Sequence, residues 1–253
     1  MLALLHAHLP AVPVKTSTLD WVVAALGALF MATGVAALVG GTVWMPILAV
    51  MVPCLLWIVV SPERAAHRGP LGPANRLTLF RGVMVALLAA FLFEPQADAY
   101  ALWLAGGAAL SVAADGLDGQ VARQTNGTTP LGARMDGELD AILTVILSAL
   151  AWQLDRAGAW VLLCGGFRYA FLVAGWLLPA LRAPLPDAPS RAWACGASLG
   201  ALVIALVPWG SPVIATVACG VAVGVLSASY VRDVGGLLWG RNRLDRADGQ
   251  PAA

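Results

Sequence analysis

The sequence predicts an all-α polytopic membrane protein with about eight spans, and composition and apolar patterning are the basis for this prediction. Of its 253 residues, 60% are hydrophobic and only 11% are charged. Soluble domains carry roughly 25% charged residues. The mean hydropathy is +0.81. A bilayer-crossing helix needs about 20 mostly apolar residues, and runs near that length recur along the chain between polar breaks. We therefore expect an integral, multi-pass protein of the lipid bilayer.

The apolar runs fall into two groups on either side of a hydrophilic linker at 61–76. Pro, Gly and Arg residues in this linker mark it as the main internal boundary of the chain. Two predicted spans precede it and six follow it, at 21–41, 44–60, 77–93, 100–114, 135–152, 160–181, 192–209 and 212–230.

Basic residues concentrate on one side of this arrangement. With a cytoplasmic amino terminus, the opposite side holds Arg156 together with Glu94, Asp98 and Asp155. The cytoplasmic side then holds most of the basic residues, namely Lys15, Arg64, Arg68, Arg76, Arg81, Arg123, Arg134, Arg182, Arg191, Arg232, Arg241, Arg243 and Arg246. This is the positive-inside pattern. It predicts the orientation and, for a bacterial chain, the inner membrane as the location.

Four aspartates lie where the fourth and fifth predicted spans meet the cytoplasmic side. Asp115 and Asp118 are three residues apart and Asp136 and Asp140 are four apart, so each pair shares a helix face. Charges at this depth normally face a bundle interior or an aqueous cavity. Carboxylates so close together repel one another and require cations, and Mg²⁺ and Mn²⁺ prefer carboxylate oxygens. The spacing predicts a site for two such ions, suited to displacement at phosphorus.

Three further residues of the same segment suit a phosphorylated substrate. Gly119 allows a ligand to approach the backbone, and Arg123 can bind phosphate oxygens in a bidentate manner. Gly132 allows close helix packing. The non-catalytic alternatives for the aspartates are an ion-pair network that joins two helices and a cation-transport site.

The segment carries the pattern D-x2-D-G-x2-A-R-x8-G-x3-D-x3-D, which resembles the signature of the CDP-alcohol phosphotransferase (CDP-alcohol phosphatidyltransferase class-I) family. The matching positions are Asp115, Asp118, Gly119, Ala122, Arg123, Gly132, Asp136 and Asp140. The resemblance implies a six-helix catalytic core over 70–232. Two extra transmembrane helices and the linker would form an amino-terminal extension, 1–69, and 233–253 would be a cytoplasmic tail.

The resemblance also implies a role for each matching residue. Asp115, Asp118 and Asp136 would ligate two Mg²⁺ or Mn²⁺ ions, while Asp140 would contact the second ion and act as general base on the acceptor hydroxyl. The residues implied to bind the CDP moiety are Gly119, Arg123, Asn75 and Thr129. Asn75 belongs to "PANRLTLFR", which is similar to the P-N-x-L-T-x-x-R-like start of the family core, with Ala74 where proline is usual.

Three arginines are candidates for binding the acceptor. Arg168 lies inside the sixth predicted span, where a charge by default indicates a polar cavity. Arg182 and Arg191 bracket the loop "RAPLPDAPSR", a region that tends to shape the acceptor pocket in the family, although a positive-inside role explains them equally well. We expect Glu138 to be solvated or paired with Arg134, which itself suits either a phosphate contact or a membrane-surface anchor.

The expected function is transfer of a substituted phosphate from a CDP-linked donor, above all CDP-diacylglycerol, to an alcohol acceptor, with release of CMP, in phospholipid biosynthesis. The acceptor stays open among glycerol 3-phosphate, an inositol phosphate, serine and choline. The resemblance implies a homodimer, and we expect no nucleic-acid partner. Alternatives are transfer from a soluble CDP-alcohol to diacylglycerol, a divalent-cation transporter, and a scaffold without activity.

Overall fold

The computed structural model describes residues 16–67, 71–124, 129–177, 189–208 and 211–248. Side chains are described at 18–67, 71–117, 129–177, 190–208 and 211–237. In these ranges the chain forms helices joined by turns and contains no strand. The prediction of an all-α protein is confirmed.

Nine α-helices form in the described ranges, and two short 3-10 helices, Ala97–Tyr100 and Ala159–Leu162, lead into α5 and α7. The α-helices are α1 (Thr16–Val39), α2 (Trp44–Val59), α3 (Ser61–Ala66), α4 (Pro73–Ala90), α5 (Ala101–Gln124), α6 (Pro130–Gln153), α7 (Leu163–Leu177), α8 (Pro189–Leu206) and α9 (Pro212–Asp248). Each predicted apolar segment overlaps one of them. The exception to the prediction is α3, which forms inside the hydrophilic linker.

Within the described ranges, length and composition make four helical stretches suitable for crossing a membrane. These are Thr18–Val39, Ala97–Leu117, Ala159–Leu177 and Pro212–Leu237, and the shorter apolar helices are Trp44–Val59 and Ser190–Leu206. Helices α4 and α6 combine apolar and charged residues, as expected of helices that border a polar site. The number of eight spans stays a prediction. Helix α9 continues to Asp248 and so includes most of the segment expected to be the carboxy-terminal tail.

The amino-terminal hairpin of α1 and α2 packs against α4. Trp21 and Trp57 meet edge to face, with ring centroids 5.3 Å apart, and the Arg64 guanidinium lies 3.4 Å from the centre of the Trp57 ring. At the other end of the hairpin, the buried carboxylate of Glu94 accepts hydrogen bonds from the backbone N–H and the hydroxyl of Thr42, both at 3.0 Å. The ring contact joins α1 to α2 within the hairpin, and the hydrogen bonds of Thr42 attach the hairpin to the segment that follows α4.

Helix α6 lies at the centre of the remaining bundle and contacts α4, α7 and α8. Its leucines recur at helical spacing on a fully buried face, at Leu139, Leu143, Leu147 and Leu150. Helix α8 packs on α5 and α9, and α7 packs on α9. The charged residues at the start of α6 therefore lie among helices on several sides.

A glycine permits the close approach of α7 to α6. A Cβ at Gly165 would lie 2.9 Å from the Cα of Val145 and 3.3 Å from the hydroxyl of Ser148. Small residues at such crossings let helix backbones come together. The contact brings Arg168, one turn further along α7, next to α6.

We expect Gly165→Ala to lower the free energy of unfolding by about 1 to 3 kcal/mol, because the added methyl group forces α7 away from α6. Gly166→Ala is the matched control, since a Cβ there meets nothing within 4 Å. It should unfold at the wild-type temperature or slightly above it, because alanine favours the helix over glycine. Thermal unfolding in detergent, followed by tryptophan fluorescence, measures both variants. Equal melting temperatures would contradict the close contact.

Candidate active site

Three of the aspartates predicted to bind metal come together between α5 and α6. Asp115 lies on α5, and Asp136 and Asp140 lie near the start of α6. One carboxylate oxygen from each lies within 4.8 Å of the others. Hard divalent cations take carboxylate oxygens as ligands, so the chemistry of this donor set fits Mg²⁺ or Mn²⁺.

For several predicted site residues, the structure describes only the backbone, or the residue lies outside the described ranges. Asp118, Gly119 and Arg123 belong to the helical backbone of α5, but their side chains are outside the described residues. Arg182 is outside the described residues altogether. The roles expected of these four residues stay predictions.

A buried arginine contacts all three carboxylates. Arg81 of α4 donates from Nη1 to Asp115 and, at 2.9 Å, to Asp136, and its Nη2 donates to Asp140 at 2.8 Å. From the sequence, Arg81 was expected to be a basic residue of the cytoplasmic side and the last residue of the segment "PANRLTLFR", with no part in the aspartate site. A signal was present, because Arg81 falls inside the predicted span 77–93, where a charge needs a partner.

The predicted nucleotide contacts Asn75 and Thr129 are hydrogen-bonded to each other at the edge of the cluster. Asn75 Nδ2 donates to Thr129 Oγ1 at 3.3 Å. The same oxygen accepts from the backbone N–H of Gly132 at 3.0 Å and so caps the amino terminus of α6. A Cβ on Gly132 would overlap the Asn75 side-chain oxygen. Glycine at this position therefore lets a side chain from α4 reach the start of α6.

A cavity of about 710 Å³ adjoins the carboxylates between α6, α7, α8 and α9. Asp140 forms part of its wall, so this residue borders both the aspartate cluster and the cavity. The cavity is also lined by polar groups from all four helices, Arg134, Thr144, Arg168, Arg191, Ser229, Tyr230 and Asp233. The structure therefore brings two of the three candidate acceptor-binding arginines, Arg168 and Arg191, to one cavity.

Carboxylates hold the arginines of this cavity in place. Glu138 accepts from Arg168 and, at 3.0 Å, from Arg134 Nη2. Arg191 Nε donates to Asp233 at 3.0 Å. The predicted pairing of Glu138 with Arg134 is confirmed. The alternative that Glu138 is solvated is wrong, because the residue is buried between α6 and α7.

Comparison with known proteins identifies one family. A family model described as CDP-alcohol phosphatidyltransferase matches residues 72–228. The match includes α4 to α8, the first part of α9 and the aspartate cluster, and it leaves α1 to α3 outside. Searches of curated proteins and of solved structures found no match.

We expect Glu138→Gln to lower the free energy of unfolding by about 1 to 3 kcal/mol, because two arginines lose the buried carboxylate that they share. Glu63→Gln is the matched control. Glu63 also pairs with Arg134, but at 3.9 Å and in a more exposed setting, where an ion pair contributes about 0 to 1 kcal/mol. Thermal unfolding of both variants in detergent tests this expectation. A melting temperature for Glu138→Gln equal to that of Glu63→Gln would contradict it.

Proposed function

The chain belongs to the CDP-alcohol phosphatidyltransferase family, and on this premise we propose that it transfers a phosphatidyl group from CDP-diacylglycerol to a polar, anionic alcohol with release of CMP. Membership implies phosphatidyl transfer from a CDP-alcohol in phospholipid synthesis. The donor, the acceptor class and the residue roles proposed for this chain go beyond what membership implies. The observation that carries the proposal is the position of Asp140, which borders both the aspartate cluster and the arginine-lined cavity.

Asp140 is the proposed general base. Its carboxylate lies beside those of Asp115 and Asp136 and also forms part of the cavity wall. A hydroxyl group bound in the cavity would therefore meet this carboxylate at the side where the donor phosphate is held. Removal of the hydroxyl proton by a positioned carboxylate assists attack on phosphorus. The acceptor oxygen forms a bond to the phosphatidyl phosphorus as the bond to CMP breaks, and the proton goes to Asp140.

The carboxylate set is proposed to hold two divalent ions, Mg²⁺ or Mn²⁺, with Asp118 as the fourth ligand residue. Such ions would neutralise charge on the diphosphate and on the departing CMP. Asn75 and Thr129, which are already hydrogen-bonded to each other, would contact the CDP moiety together with Gly119 and Arg123. The distribution of the basic residues supports a site that faces the cytoplasm.

The polarity of the cavity favours a lipid donor and a water-soluble acceptor. Its wall presents arginines, hydroxyl groups and carboxylates from four helices beside apolar side chains such as Phe171, Leu172 and Leu226. Diacylglycerol carries no charged group that could pair with these arginines. A small polar alcohol suits the cavity better, while the acyl chains of CDP-diacylglycerol can stay in the bilayer. Transfer from a soluble CDP-alcohol to diacylglycerol is therefore the second candidate function.

The N–H groups of the cavity arginines support an acceptor that carries an anionic group. Arg134, Arg168 and Arg191 line the wall. Glu138 is shared between two of them, and the buried Nε of Arg168 has no hydrogen-bond partner among the described residues. A buried N–H group without a protein partner favours binding of an anionic oxygen from a ligand. Guanidinium groups bind phosphate and carboxylate well. Glycerol 3-phosphate and an inositol phosphate fit this class better than choline, which carries a positive charge and no anion.

We expect Asp140→Asn to reduce formation of lipid product and of CMP by at least about 100-fold, because the amide cannot accept the hydroxyl proton. The assay incubates purified protein and Mn²⁺ with labelled CDP-diacylglycerol and a panel of acceptor alcohols. Asp98→Asn is the control, since Asp98 is exposed and pairs with Arg156 at the opposite end of the bundle. Near-normal CMP release by a folded Asp140→Asn variant would refute the role of Asp140.

We expect Arg191→Gln to raise the KM for the acceptor by about 10-fold or more and to leave the KM for the donor unchanged, because a charge-assisted hydrogen bond to the acceptor is lost. Arg232→Gln is the matched control. Both arginines pair with Asp233, but Arg191 lines the cavity and Arg232 is not among its lining residues. Equal acceptor KM values for the two variants would contradict binding of an anionic acceptor by Arg191.

A further inference from the structure

Arg81 places a positive charge directly against the proposed metal ligands. It reaches from α4 to carboxylates on both α5 and α6 and contacts one oxygen of each. Its partners are 34 to 59 residues away in the chain. The guanidinium therefore joins three helices at the point where the proposed metal ligands meet.

Burial shows on which side of the carboxylates the guanidinium lies. The Arg81 side chain is 0% exposed, whereas the side chains of Asp115, Asp136 and Asp140 are 36%, 43% and 20% exposed. The guanidinium thus lies beneath the carboxylates, on the side of the helix packing. An arriving cation would approach from the exposed side, which Arg81 does not occupy.

The arrangement also compensates charge. Three carboxylates whose oxygens lie within 4.8 Å of one another repel strongly in a partly buried setting. A planar guanidinium offers several N–H donors in a fixed geometry, so it can hold several carboxylates in defined orientations. Lysine has the same charge but offers a single ammonium group on a flexible chain.

We propose that Arg81 is a positioning residue that orients Asp115, Asp136 and Asp140 from the buried side, so that their exposed sides form a preorganised site for a divalent cation. This inference rests on the proposed function, since the divalent cation is part of it. The alternative is competition, in which Arg81 and the divalent cation would bind the same carboxylate oxygens. Positioning and competition give opposite signs for the effect of Arg81 on cation affinity.

The test measures Mn²⁺ binding to purified protein in detergent by electron paramagnetic resonance, without any substrate. Arg81→Lys and Arg81→Gln should bind Mn²⁺ about 10- to 100-fold more weakly than the wild type, as expected when a partner that orients metal ligands is lost. Arg76→Gln is the matched control on the same helix, because Arg76 is exposed and pairs with Asp20. It should bind Mn²⁺ like the wild type.

A second readout separates positioning from general damage to the fold. In the transferase assay, the Mn²⁺ concentration needed for half-maximal rate should rise for Arg81→Lys, and excess Mn²⁺ should restore much of the turnover. The KM for the CDP-linked donor at saturating Mn²⁺ should stay unchanged. A variant that is merely misfolded would not be restored by metal.

Equal or tighter Mn²⁺ binding by folded Arg81 variants overturns the inference, as does a wild type that binds no Mn²⁺. If neither variant folds, a structure of the Mn²⁺-loaded wild type decides, because positioning keeps the three ion pairs of Arg81 in place and competition breaks them. A wild type that binds Mn²⁺ with the expected dependence on Arg81, yet turns over no CDP-linked donor, refutes the proposed function and leaves the role of Arg81 standing.

Discussion

The need to compensate three neighbouring carboxylates within a helical bundle governs the arrangement of this protein. Asp115, Asp136 and Asp140 come together where side chains of α5 and α6 meet, and Arg81 of α4 compensates part of their charge. The ion pairs therefore specify how three helices meet. They also keep the carboxylates partly accessible, because the cation that compensates them is on the buried side.

The cavity beside the cluster also depends on charges that compensate one another. In addition, it depends on small side chains. Gly165 lets α7 approach α6, and Gly132 lets Asn75 reach Thr129. With the helices this close, Glu138 can hold Arg168 at the cavity wall. Close backbone contacts thus define the shape of the cavity, and paired charges define its chemistry. The amino-terminal hairpin packs against α4, the helix that carries Arg81. It lies on the side of α4 away from α7, α8 and α9, which line the cavity.

Much of the site could be predicted from local sequence, and the reasons are physical. Spacings of three and four residues place Asp115 with Asp118 and Asp136 with Asp140 on helix faces, because the helical repeat is known in advance. Apolar runs locate the helices for the same reason. Arg168 could be singled out because a charge inside an apolar span requires a polar environment. The partners of Glu138 could be predicted only in part, since Arg134 is one turn away on the same helix and Arg168 is on another helix.

The sequence by itself determined the all-α fold class, the approximate helices and the aspartate segment, because composition and helical periodicity act over a few residues. The tertiary structure alone decided that Arg81 lies beneath the carboxylates and that Asp140 borders the cavity. The contacts of Arg81 with the carboxylates join residues 34 to 59 positions apart, and no local repeat encodes such separations. They arise from helix packing, which buries Arg81 where only carboxylates can compensate its charge.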